Sequence, residues 1–153
     1  MSPMLPPLSK IDMISNISQA RLHANAVSLN GQGLLIIGEA KSGKTSLTQA
    51  LIKKSTRNIL IADDQTLIQQ SQQHLHLNAP KSIQGLMVDQ EGKVTRHKFI
   101  ENIPLSWICL LFGDNEPQNK SVKINEQNFL IHNIKAKSMS ADALAALLLK
   151  KSF

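Results

Sequence analysis

The stretch from Gly33 to Ile52 constrains this chain more than any other. An apolar run, Leu34-Leu35-Ile36-Ile37, ends abruptly at Gly38. Gly38-Glu39-Ala40-Lys41-Ser42-Gly43-Lys44-Thr45 follows, and Ser46 to Ile52 then carries apolar residues at helical spacing. Strand, tight loop and helix are the context that gives a G-x-x-x-x-G-K-[ST] match its weight. Gly38 and Gly43 allow backbone angles that a Cβ would forbid, and they let backbone N–H groups approach a polyphosphate. The helix opening near Lys44 aims the positive end of its dipole at the same spot. Lys44 would reach the β- and γ-phosphates, and the Thr45 hydroxyl would sit on Mg²⁺. Gly38 to Ser46 is therefore expected to hold the phosphates of a nucleotide. The alternative is a chance match in an ordinary glycine loop, and the flanking strand and helix speak against it.

One helix later, Ile59-Leu60-Ile61-Ala62 runs as a buried strand into Asp63-Asp64. An acid at a strand's end can hold the Mg²⁺ of a bound nucleotide or take the proton of an attacking hydroxyl. Two adjacent acids with diverging side chains allow both roles. Alone the pair would read as a solvated turn; after this loop and helix it is a Walker-B candidate.

With 153 residues the chain is expected to form one domain, with residues 1–16 as a loose arm and 17–153 as the folded unit. Its 42% apolar and 18% charged residues are a globular composition. No apolar stretch approaches the roughly 20 residues of a membrane span, and the opening residues lack the pattern of an export signal. Cys109 stands alone in the apolar run Leu105 to Phe112, which predicts a packed thiol in a reduced, cytoplasmic setting. A net charge of +6 suits a polyanion or an acidic partner. The lysines and arginines are scattered, however, and there is no Tyr and a single Trp, so a nucleic-acid surface is not expected.

The rest of the chain reads as short strands. Gln19 to Leu29 is strand-like, and Asn30-Gly31 predicts a hairpin turn into Leu34–Ile37. Thr66 to Ile68 reads as a strand and Gln69 to Gln73 as an exposed turn. His74 and His76 share one face of an extended segment, but no third ligand lies nearby in sequence, so surface histidines are expected. A turn at Asn78-Ala79-Pro80 leads to a strand over Ile83–Val88, a turn at Asp89–Gly92 and a return from Val94. Leu105 to Phe112 is the longest apolar run and is predicted as a central strand. Phe129 to Ile131 reads as a short strand. Ser140 is predicted to cap a helix over Ala141–Leu149, with Asp142 in its first turn and Lys150-Lys151 at its end. Leu147, Leu148 and Leu149 offer more apolar surface than one helix face buries.

Taken together, these pieces resemble the C-terminal catalytic domain of bacterial HPr kinase/phosphorylase, in the short form without the N-terminal domain. The matching residues are His23, Asn30-Gly31-Gln32-Gly33-Leu34-Leu35-Ile36, the phosphate loop and Ala62-Asp63-Asp64. Ala79-Pro80, Ile83-x-Gly85-Leu86, Ile103-Pro104-Leu105 and Ser140-Ala141 continue the match. The resemblance implies a compact α/β domain similar to phosphoenolpyruvate carboxykinase, with a mixed sheet and few helices, assembled as a homo-hexamer. It implies ATP- and Mg²⁺-dependent phosphorylation of a serine on an HPr-like phosphocarrier protein of the phosphotransferase system, reversed by phosphorolysis. Carried over by position, Lys44 and Thr45 hold phosphates and metal, Asp63 is the base for the acceptor hydroxyl, Asp64 helps hold Mg²⁺, and His23 lies near the transferred phosphate. A partly buried histidine bonded to backbone is the other reading of His23.

The chain also departs from the family pattern. Ala40 and Lys41 replace a Ser-Gly pair in the loop, and Ser46 stands where many members carry Glu. After Gly85-Leu86 the family reads Glu-x-Arg-Gly-Leu-Gly, whereas Met87-Val88-Asp89-Gln90-Glu91-Gly92 has no Arg; nor does Gly113-Asp114-Asn115-Glu116-Pro117-Gln118. Asp89 or Glu91 would replace the lost carboxylate from a position other than the expected one, and Lys93 or Lys120 would partly replace the cation, without the bidentate fork of arginine. Three expectations result: an ATP-dependent serine kinase, an ATP-binding regulatory module of the same fold whose transfer chemistry has decayed, and, weakest, a kinase for a small molecule.

Overall fold

The computed structural model describes residues 2–136 and 140–150. In chain order the elements are β1 (Met13–Ile14), β2 (Gln19–Leu29), β3 (Gln32–Gly38), α1 (Lys44–Lys54), β4 (Asn58–Ala62), β5 (Gln65–Ser71) and β6 (His74–Asn78). Then come β7 (Leu86–Val88), β8 (Val94–Arg96), β9 (Ile103–Phe112), β10 (Ser121–Ile124), β11 (Gln127–Lys135) and α2 (Ala141–Lys150). This is a mixed α/β fold with few helices, as the sequence predicts.

The nine-stranded sheet runs β1-β10-β11-β9-β3-β2-β5-β6, with β4 also on β2, and β6 returns to pair with β9. Strands β9, β3, β2, β5 and β6 thus close a ring. Gly33 permits the closure: a Cβ there would lie 2.6 Å from the Pro104 carbonyl oxygen and 2.9 Å from Leu77 Cδ1. β3 lies parallel to β9 and antiparallel to β2, joined by the predicted turn in which Asn30 and Gly31 both have positive φ.

Side-chain alternation along β3 explains its unbroken apolar run. Leu35 and Ile37 face the core inside the ring with Ala24, Ala26, Ile108 and Leu110. Leu34 and Ile36 face the opposite core with Val27, Cys109 and Leu111, where α1 adds Leu47 and Leu51 and α2 adds Leu144 and Leu148. Ser140 accepts the Ala143 N–H at 3.2 Å, the predicted cap, while Lys151 lies outside the described residues.

Four local expectations differ from the fold. Gln69 to Ser71, expected in a turn, continue β5 against His74 to His76, polar because their outer face is wet. The strand expected over 83–88 begins only at Leu86. Gly85 takes φ +76° there, and a Cβ would lie 2.8 Å from the His97 carbonyl oxygen. β11 extends well beyond Phe129–Ile131 because its second half pairs in parallel with β9. The N-terminal arm, expected to be loose and to lie over the domain, does lie on it but is fastened there: Leu8 is buried in the ring core and Met13-Ile14 pair with β10.

Candidate active site

The site forms where β2 changes partners. Along one side β2 pairs first with β5, through Gln19–His23, and then with β4, through Ala26–Leu29, with a bulge at Ala26/Val27. β4 and β5 are consecutive in the chain, so the link between them, Asp63-Asp64, turns a corner opposite Asn25. Gln65 N–H bonds the Asp63 carbonyl at 2.7 Å, and Asp64 takes φ +66° between them.

Asn25 is fully buried and ties this corner to α1. Its amide nitrogen donates to Asp63 Oδ1 at 2.8 Å and to Thr48 Oγ1 at 3.0 Å, and its oxygen accepts the Asp64 N–H at 2.8 Å. Asp63, also buried, takes two further donors: Thr45 Oγ1 at 2.8 Å onto Oδ1, and the Val88 N–H at 3.0 Å onto Oδ2. Asp64 is different. Its carboxylate is 65% exposed and meets His23 Nε2 at 2.7 Å, with the imidazole 50% exposed. The two acids that look equivalent in sequence are a buried carboxylate held by three donors and an open one beside a histidine.

The loop before α1 has the form its glycines predict. A Cβ on Gly38 would lie 2.6 Å from Ser42 Oγ and 2.8 Å from the Leu111 carbonyl oxygen, and Gly43 holds φ +99° at the helix start. Lys41 holds φ +66°, a conformation that a non-glycine residue adopts at a cost. The Lys44 ammonium is tucked back onto the carbonyls of Gly38 at 2.7 Å and Glu39 at 3.1 Å. Burial lowers its pKa below the ordinary 10.5, partly opposed by Asp64 and then Asp63. Ser42 Oγ is buried with no hydrogen-bond partner among the described residues.

The loop opens on a cavity of about 1210 Å³ lined by Gly38 to Gly43, His23, Gln65, the N-terminal segment and the 113–119 loop. Ordinary small-molecule sites span about 300–1,000 Å³, and this cavity lies just above that range. A smaller cavity, about 250 Å³, lies against Thr45, Ser46 and Gln49 and is walled by Asp89 and Glu91. Lys93 lines neither cavity, and Lys120 is held by Glu116 at 2.8 Å. His74 and His76 lie on β6, and the described residues contain no group of three or more metal-binding side chains.

The sequence reading therefore names Lys44, Thr45, Asp63, Asp64 and His23, which the fold brings together. It misses Asn25 and Thr48. A lone amide between two alanines in a strand buried throughout this stretch was the signal available for Asn25.

Residues 15–90 match the family model of the HPr Serine kinase C-terminal domain. Over those residues the chain is similar to that family. The solved structure of the Hpr(Ser) kinase/phosphatase from Coxiella burnetii superposes with a TM-score of 0.72 at 20% sequence identity. It covers 86% of this chain and 94% of that one, so the likeness of fold extends well beyond the matched stretch. No curated relative matches the sequence. No helix among the described residues is long and apolar enough to cross a membrane.

Proposed function

We propose that the chain binds ATP with Mg²⁺ and transfers the γ-phosphoryl group to a serine hydroxyl of an HPr-like phosphocarrier protein, with phosphorolysis as the reverse. The residues present fit such a ligand. Ser42 Oγ lacks a partner inside the loop, Gly38 and Gly43 keep Cβ atoms out of it, and the first N–H groups of α1 point the same way. The Thr45 hydroxyl, with the Asp63 carboxylate behind it, suits Mg²⁺, which keeps waters and borrows phosphate oxygens rather than filling a protein cage.

The contact between Thr45 and Asp63 carries the assignment of roles, and the division it supports is the reverse of the one the resemblance implies. Asp63 is fixed by Asn25, Thr45 and the Val88 N–H, which suits an anion that orients the metal ligand Thr45. Asp64 is open to a second substrate, and His23 positions it. Asp64 accepts the serine proton as the serine oxygen attacks phosphorus and the bond to the leaving ADP oxygen breaks. Lys44 neutralises the phosphates. The nucleotide supplies the activated phosphoryl group.

Labelled ATP and a purified HPr-like carrier test this reading. Asp64→Asn should abolish transfer and leave ATP binding intact, whereas Asp63→Asn should weaken Mg²⁺-dependent binding. Transfer retained in Asp64→Asn would refute the assignment. One observation favours a second reading, a regulatory nucleotide sensor: no arginine among the described residues lines the large cavity. ATP binding without transfer to any carrier would select it.

A further inference from the structure

The large cavity on which the phosphate loop opens is also lined by the N-terminal segment, Met4 to Lys10. That segment is fastened at several points. Arg21 N–H bonds the Pro3 carbonyl and Leu5 N–H bonds the Arg21 carbonyl, both at 2.8 Å. Pro6-Pro7 restrict the backbone between Leu5 and Leu8. Leu8 is 1% exposed in the ring core, and the Asp12 carbonyl accepts the Lys123 N–H at 2.9 Å just before β1. Lys10 sits between the last two anchors. It is exposed, its backbone N–H is used by the Pro7 carbonyl, and its ammonium has no ion-pair or hydrogen-bond partner among the described residues.

The charges around the cavity give this lysine a task. The 113–119 loop contributes Asp114 and Glu116, and Glu39 adds a third acid, while among the described residues the lysines lining the cavity are Lys10 and Lys41, with no arginine. Lys44 is already turned onto loop carbonyls. A triphosphate entering such a space needs a cation from the side away from the loop. We propose that the N-terminal segment is a working wall of the nucleotide site and that Lys10 clamps the terminal phosphate across the cavity from Gly38 to Gly43. This rests on the phosphate-loop reading above and assigns the segment, whose residues Leu8–Lys10 form a 3-10 turn outside the sheet, a ligand-binding duty.

Calorimetric titration of the full chain with ATP, ADP and AMP, each with Mg²⁺, tests it. Lys10→Ala should weaken ATP roughly tenfold, the scale of one lost charge-assisted bond, with a smaller loss for ADP and none for AMP. Lys10→Arg should bind ATP as the wild type does. Lys53→Ala, which removes the same charge in the last turn of α1, should leave all three affinities unchanged. Wild-type ATP affinity in Lys10→Ala, or an equal loss for AMP and ATP, would overturn the clamp while leaving the phosphate loop standing. Absence of ATP binding by the wild type would overturn both.

Discussion

Replacing Asn25 with alanine tests the junction on which the site is built. The amide makes two donated bonds and one accepted bond, all within 3.0 Å, and is 0% exposed. Its loss removes one donor from the buried carboxylate of Asp63, worth about 1.5–3 kcal/mol for a bond to a charged group. It also leaves the Asp64 N–H unmet, at about 1–2 kcal/mol, and opens a small cavity between β2 and α1. The expected cost is about 3–4 kcal/mol, a large share of the roughly 5–15 kcal/mol typical of a domain. Urea unfolding followed by circular dichroism measures it as a shift in midpoint at constant slope. Asn25→Asp keeps the volume but sets a second carboxylate against Asp63, and should cost at least as much. A loss below about 1 kcal/mol for Asn25→Ala would refute the idea that this amide holds the corner together.

Other perturbations have equally definite outcomes. Leu8→Ala should destabilise the fold by about 2–4 kcal/mol by urea unfolding, because its side chain fills the ring core. Lys41→Gly should raise stability by about 0.5–1 kcal/mol in thermal unfolding, since glycine takes the φ of +66° without strain. Lys44 gives an alkaline signature. Its folded pKa lies below 10.5, so the unfolded chain binds more protons between the two values and stability rises with pH across that window. Unfolding curves at stepped pH should show the rise, and Lys44→Met should flatten it. A polyphosphate favours the charged form, so ATP affinity should fall as pH climbs through the same window.

Much of this arrangement is legible in the sequence because its causes are local. Leu34 to Ile37 announce a strand covered on both faces, Asn30-Gly31 announce the turn before it, and the glycines announce the loop after it. The division of labour between Asp63 and Asp64 is not local. It depends on donors 38 and 25 residues away, Asn25 and Val88, and on the positive φ that turns Asp64 outward. The seating of Leu8 is equally hidden, since a leucine among prolines gives no periodicity and its partners lie inside a ring closed by β6 and β9. Polar residues in β5 mislead for the same reason: pairing with β6, not burial, makes them a strand.

The central claim is that the bend before α1 holds the phosphates of a nucleotide with Lys44, separately from the acid that receives the proton. Calorimetric titration of Mg²⁺–ATP into wild type, Lys44→Ala and Asp64→Asn addresses it most directly. Saturable heat is expected for the wild type and for Asp64→Asn, with the heat lost in Lys44→Ala. No binding by the wild type, or equal binding by Lys44→Ala, would contradict it.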